Sequence, residues 1–176
     1  TGVVPTSSTT MTLALGDALA VSLMEHRAFT SAHFRAFHPG GKLGAALSRV
    51  RDLMHTGDAL PLVQLDTPMS EALIEISQKG FGVVGVTDKA TLVGIITDGD
   101  LRRHMNADLL GLAARDVMTS DPRTITPETL GQAAVGIMNG TDGNRPVTCL
   151  FVTDPETGKT PVGLLHIHDC LRVGLG

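Results

Sequence analysis

The chain has 176 residues, 42% of them hydrophobic and 3% aromatic, which is enough for one full domain or two small ones around an aliphatic core. Its net charge of −4 and isoelectric point near 5.9 give no basic footprint, which argues against nucleic acid and anionic membrane surfaces as partners. Two cysteines, Cys149 and Cys170, in unrelated settings make neither a disulfide framework nor a zinc spacing. That usage suits a reducing, cytoplasmic compartment, with Cys170 packed as a small hydrophobe.

In chain order, Thr1 to Pro5 reads as the end of a strand, and Ser7, Ser8, Thr9 and Thr10 offer hydroxyls to cap a helix running to about Arg27. The stretch Met11 to Met24 is too short to span a membrane and carries Asp17 at its middle. Its apolar residues surround most of the circumference, so the helix predicts cover on more than one side, from further chain or a second subunit. Together with the start at Thr1, this reads as a fragment of something longer that self-associates as a homo-oligomer. A further helix is expected from Thr30 or Ser31 to Phe37, where Pro39 biases His38 away from the helical region. The glycine-rich turn His38 to Gly44 follows.

From Val50 the chain repeats itself. VGIITDGDLRR, Val93 to Arg103, returns as VGLLHIHDCLR, Val162 to Arg172, and one offset of 69 aligns Gly94 with Gly163, Thr97 with His166, Asp100 with Asp169 and Arg103 with Arg172. Upstream, Arg51-Asp52-Leu53-Met54 matches Arg115-Asp116-Val117-Met118, and Thr67-Pro68 matches Thr126-Pro127. An internal repeat dictates architecture. The first copy predicts an extended piece at Leu60 to Val63, a helix over Pro68 to Lys79, strands at Gly82 to Thr87 and Leu92 to Thr97, and a helix from Asp98 to about Met105. The second predicts Arg123 to Ile125, a helix over Pro127 to Asn139, strands at Val147 to Thr153 and Val162 to Ile167, and a closing helix to Leu175. Both Thr-Pro pairs place a hydroxyl at N-cap and proline at N1. The expected fold class is therefore α/β (α+β), two β-α-β-β-α repeats.

That order, with a hairpin ending in Gly-h-h-Thr-x-x-Asp before the last helix, resembles the CBS domain, which occurs as tandem pairs about a pseudo-two-fold axis. The run PTSSTTMTLALGDALAVSL, then FHPGGKLG, RVRDLMHTGD, GIITDGDLRR and GLLHIHDCLR, is similar to the C-terminal part of the arabinose-5-phosphate isomerases, in which a sugar-isomerase (SIS) domain precedes a CBS pair. The resemblance implies a remnant of the SIS domain over 1–48, CBS repeats over 50–112 and 113–176, and a parent enzyme interconverting D-ribulose 5-phosphate and D-arabinose 5-phosphate for lipopolysaccharide synthesis. It also implies that this fragment alone is inactive.

Among candidate site residues, His38 is the catalytic choice: aldose–ketose isomerisation needs a group that moves protons near neutrality, and the resemblance places the histidine of HPGG in the isomerase site. Gly40-Gly41-Lys42 suits a phosphate but equally a simple turn. Thr97 and Asp100 are ligand candidates, the carboxylate accepting from a ribose diol and the hydroxyl meeting a phosphate. A helix cap at Thr97 or Asp98 would look identical in sequence. In the second copy His166 replaces the hydroxyl while Asp169 is kept, so the two half-sites differ. His166 and His168 lack a third ligand at metal spacing, and no metal or cofactor is expected. The resemblance points to a small-molecule effector, the pathway's activated sugar CMP-Kdo or another nucleotide. Alternatives are an adenine-nucleotide sensor and a pair serving only assembly.

Overall fold

The structure, a computed structural model, describes residues 4–30, 33–34, 37, 45, 47–105 and 108–175. The chain divides into two units, Thr1–Pro39 and Gly40–Gly176.

In the first unit, α1 spans Thr6–His26, and none of its residues is buried. Its threonines do not cap it. Pro5 is the N-cap, without a side-chain hydrogen bond, and the Thr9 and Thr10 hydroxyls donate back to the Pro5 and Thr6 carbonyls at 2.8 and 3.0 Å. Hydroxyls inside the first turn reach the carbonyl one turn back more easily than a free N–H ahead of them. Within this unit Met11 and Leu13 stand 72% and 71% exposed. Of the helix expected before Phe37, only Thr30, His33, Phe34 and Phe37 are described.

The second unit carries the repeats. In the first, β1 (Leu62–Gln64), α2 (Met69–Lys79), β2 (Val83–Asp88), β3 (Thr91–Thr97) and α3 (Asp98–Arg103) follow in order. After α4 (Ala114–Val117) and β4 (Thr119–Ser120), the second repeat runs β5 (Thr124–Ile125), α5 (Gly131–Met138), β6 (Cys149–Thr153), β7 (Pro161–His166) and α6 (Ile167–Arg172). The strands form two sheets, β1-β2-β3-β4 and β5-β6-β7. In each, the strand before the long helix pairs parallel with the strand after it, which then pairs antiparallel with the next. This is the expected β-α-β-β-α twice over.

Both Thr-Pro pairs depart from the sequence expectation. Pro68 itself is the N-cap of α2, with no capping side chain, while the Thr67 hydroxyl accepts from the Gln64 N–H at 3.0 Å and closes the preceding turn. The second helix starts at Gly131, four residues later than its Thr-Pro pair predicts. Residues 127–130 instead pair with the segment before Leu53: Val50 and Arg51 donate their N–H groups to the Thr129 and Pro127 carbonyls, and Gly131 donates to Ser48 at 2.7 Å. A Cβ at Gly131 would come within 2.6 Å of Leu175 and 3.2 Å of the Ser48 carbonyl. Close backbone approach thus overrides the local helix signal.

These contacts show that the repeats exchange their lead-in segments. Val50 is fully buried with Ile125, Ala134, Leu150 and Leu165 of the second repeat, and Leu53 and Met54 pack against the same core. Ala114 and Val117, which open the second repeat in sequence, are buried with Met69, Val84 and Ile96 of the first. The sequence boundary near 112 is therefore not the spatial one. Gly94 and Gly163 record the exchange symmetrically, because an added Cβ would lie 2.4 Å from the Met118 sulfur and 2.3 Å from the Met54 sulfur, respectively. A third core of Val83, Leu92, Phe151 and Leu164 joins the two repeats, and the Leu92 N–H donates to the Lys159 carbonyl at 2.9 Å across the join.

Candidate functional site

Where the repeats meet, a cleft of about 590 Å³ opens. Phe81, Gly82, Thr97, Asp98, Gly99 and Arg102 line it from the first repeat, and Arg123, Asn139, Thr148, Cys149 and Phe151 from the second. The strand β3 delivers Thr97 to the cleft, and α3 adds Asp98, Gly99 and Arg102 to its lining. Gly82 holds a left-handed φ of +68°, and a Cβ there would sit 3.7 Å from an Asp98 carboxylate oxygen. Glycine takes this left-handed turn without backbone strain.

The charges in the cleft are unevenly committed. Arg123 is tied to Asp142 at 3.2 Å and to the Arg145 carbonyl at 2.6 Å. Arg102 and Asp98, both exposed, have no hydrogen-bond or ion-pair partner among the described residues. Burial pushes the Cys149 thiol up to about 11, despite an opposing hydrogen bond with Thr148, and so disfavours its thiolate.

Asp100 faces inward. It is 2% exposed and lies outside the cleft lining. Its carboxylate accepts from the Thr97 N–H at 2.8 Å, the Thr97 hydroxyl at 2.6 Å, the Thr119 hydroxyl at 2.6 Å and the Arg103 guanidinium at 2.5 Å. Burial raises its pKa, but the bonds from Thr119 and Thr97 and the Arg103 charge together hold it below the usual carboxylate range. An ionised carboxylate accepts about four hydrogen bonds, so this one has none to spare for a ribose diol. The Thr97 hydroxyl spends its one proton on Asp100 and accepts from the Asp100 N–H at 3.4 Å. The cap and the site that compete for Thr97 in the sequence are thus the same place, with a capping box between Thr97 and Asp100.

The second copy builds a different arrangement from the same positions. His166 takes the N-cap of α6, its Nδ1 accepting from the His168 N–H at 3.2 Å. Asp169, 9% exposed, bonds His55 Nε2 at 2.8 Å and lies 3.4 Å from Arg172. His55 escapes sequence reasoning because it lies 114 residues from its partner. The only signal was its place beside Met54, in register with Thr119 beside Met118, since Thr119 bonds Asp100 as His55 bonds Asp169. His38 and Gly40-Gly41-Lys42 lie outside the described residues.

The CBS domain family model matches residues 50–107 and 114–176. The chain belongs to the CBS domain family. Arabinose 5-phosphate isomerase KdsD of Escherichia coli K12 is 43% identical over 99% of this chain, and the KdsD of Pseudomonas aeruginosa PAO1 is 44% identical over 97%. The chain spans about half the length of these relatives, 52% in each case. Among solved structures, CBSX2 of Arabidopsis thaliana in complex with AMP is similar, with a TM-score of 0.60 at 25% identity, covering 72% of this chain and 96% of that one. In this chain the cleft at the join of the two repeats is lined by Thr97 and Asp98 of one and Thr148 and Cys149 of the other. No metal-binding cluster of His, Cys, Asp or Glu occurs among the described residues, and no described helix is long and apolar enough to cross a membrane.

Proposed function

We propose that this CBS pair is the regulatory part of an arabinose 5-phosphate isomerase and that the cleft between its repeats takes a nucleotide effector. The observation that carries this reading is the uncommitted pair Asp98 and Arg102, which line the cleft with Thr97, Phe81 and Phe151. A free carboxylate suits a ribose diol, a free guanidinium suits a phosphate, and apolar walls suit a base. Asp98 therefore replaces Asp100 as the diol acceptor, and Asp100 positions Thr97 from behind. The AMP held by CBSX2 supports a nucleotide class. CMP-Kdo fits the same chemistry, because its nucleotide would occupy this cleft. In the parent enzyme His38 would serve the sugar-phosphate isomerisation, and effector and substrate affinities would be linked reciprocally.

Thermal unfolding of the chain with AMP, ATP, CMP and CMP-Kdo tests this. A ligand at about a hundred times its dissociation constant adds about 2.7 kcal/mol, which moves the midpoint of a chain this size by roughly 5–10 °C. Arg102→Ala is expected to leave the unliganded midpoint in place and to weaken the stabilising nucleotide about tenfold or more. No shift with any of the four ligands would refute the effector reading and leave the pair as an assembly device.

A further inference from the structure

One end of α5 reaches the cleft, and the other rests on the segment by which the chain enters the CBS pair. At the C-terminal end Met138 and Asn139 line the cleft. The Met138 carbonyl accepts the Val147 N–H at 2.8 Å, which ties the helix to Val147 and Thr148 of the same wall. At the N-terminal end Gly131 donates its N–H to the Ser48 carbonyl at 2.7 Å, and the Thr129 carbonyl accepts from Val50 at 2.9 Å. The helix between is Gly131–Met138, a rise of about 12 Å.

We propose that α5 relays the occupancy of the cleft to the lead-in segment, Ser48 to Met54, and that Gly131 is the position through which the two are coupled. This coupling rests on the nucleotide reading of the cleft. The packing around Gly131 leaves the helix no slack: an added Cβ would lie 2.6 Å from Leu175, 3.2 Å from the Ser48 carbonyl and 3.3 Å from Leu53. Helix backbone therefore meets lead-in backbone directly. Ala134, Val135 and Met138 share one core with Val50 and Leu165. A close-packed interior transmits displacement instead of absorbing it, and a helix bonded at both ends carries a shift from one to the other. A ligand packed against Met138 and Asn139 thus bears on Ser48 and Val50.

The first repeat supplies the contrast. There Met69 donates to the Leu112 carbonyl at 2.9 Å, Ala114 to Thr67 at 2.8 Å and Arg115 to Leu65 at 3.1 Å, just as Gly131, Val50 and Arg51 donate to Ser48, Thr129 and Pro127. Methionine stands in α2 where glycine stands in α5. The fully buried Met69 side chain is an adaptable spacer between helix and segment. No residue of Met69–Lys79 lines the cleft, and the left-handed Gly80, with φ +72°, separates α2 from the lining residues Phe81 and Gly82. A ligand in the cleft is therefore coupled to the segment around Val50 and not to the one around Ala114. By reciprocity, a change at the coupled segment alters affinity in the cleft.

The test is amide hydrogen exchange on the full chain with and without AMP, ATP, CMP and CMP-Kdo, with binding followed at the Thr97 and Gly99 amide resonances. The expected result with a saturating ligand is exchange at Val50, Arg51 and Gly131 that slows about fivefold or more beyond any slowing at Ala114, Arg115 and Met69. Equal slowing in the two sets is general stabilisation, and would overturn the coupling while leaving the nucleotide reading intact. Cleft resonances that none of the four ligands moves would overturn both. In the reverse direction Gly131→Ala, outside the cleft lining, is expected to weaken the bound nucleotide about fivefold or more. Adding Leu175→Ala, which removes the nearest obstacle, should restore part of that affinity. Unchanged affinity in a folded Gly131→Ala chain would overturn the proposal, and if that variant does not fold, the exchange comparison on the unaltered chain decides.

Discussion

The two acids of the repeat, Asp100 and Asp169, occupy equivalent positions and do different work because of what the exchanged segment brings to each. Thr119 presents a small hydroxyl, and Asp100 closes into a network of four short bonds with 2% exposure. His55 presents a ring that packs tilted at 55° against Phe81 and bonds Asp169 through one nitrogen. One acid is thus a brace, and under the proposed function the ligand chemistry falls to Asp98 and Arg102, while the other acid is engaged by an imidazole. A repeat fixes geometry, and a single residue from the far segment then decides chemistry.

The sharpest way to break this comparison is to remove each acid. Asp100→Ala strands the hydroxyls of Thr97 and Thr119 and the charge of Arg103, and is expected to cost about 3 kcal/mol in urea unfolding. Asp169→Ala, with fewer bonds, is expected to cost about 1.5 kcal/mol. Equal losses would mean that the two ends are braced alike. Next in size is Gly94→Ala, whose new Cβ would meet Cγ and Cβ of Met118 at 2.9 and 3.1 Å as well as its sulfur. Overpacking of this kind costs roughly 1–3 kcal/mol, and the penalty should shrink when Gly94→Ala is measured in a Met118→Ala background, which would demonstrate the exchange of segments in solution. His55→Ala should cost about 1 kcal/mol by leaving Asp169 with Arg172 alone, again checked by urea unfolding.

The smallest effects separate the ends by pH. The pKa of folded Asp100 lies below its unfolded value, so its contribution is complete above the ordinary carboxylate range and is lost as pH falls below about 4 through the folded value. The folded pKa of His166 is likewise lowered, so the unfolded chain binds the proton first, and stability begins to fall below about pH 6.5. Unfolding free energies between about pH 3 and 8 should show two acid-side losses. His166→Asn should flatten the upper one and Asp100→Asn the lower. A single loss unaffected by His166→Asn would remove the second end from the comparison.

Most of the architecture was legible in the chain because it rests on local periodicity. The offset joining Gly94, Thr97, Asp100 and Arg103 to Gly163, His166, Asp169 and Arg172 fixes two hairpins each feeding a short helix, and both appear within a residue or two of their expected positions. The asymmetry of the half-sites was legible as well, since His166 stands where Thr97 does. Tertiary structure decided the rest, because it depends on contacts far apart in sequence. Backbone pairing of 127–130 with the segment around Val50 delayed the second long helix, which no capping signal could foretell. The partner of each acid came from that same exchange: Thr119 reaches back to Asp100 and His55 forward across 114 residues to Asp169. For the same reason the sequence singled out Asp100 as a ligand, whereas only the folded chain shows that carboxylate filled from within and Asp98 and Arg102 left open at the rim. Period and capping chemistry are written residue by residue, but which polar groups satisfy one another is settled only when distant segments pack.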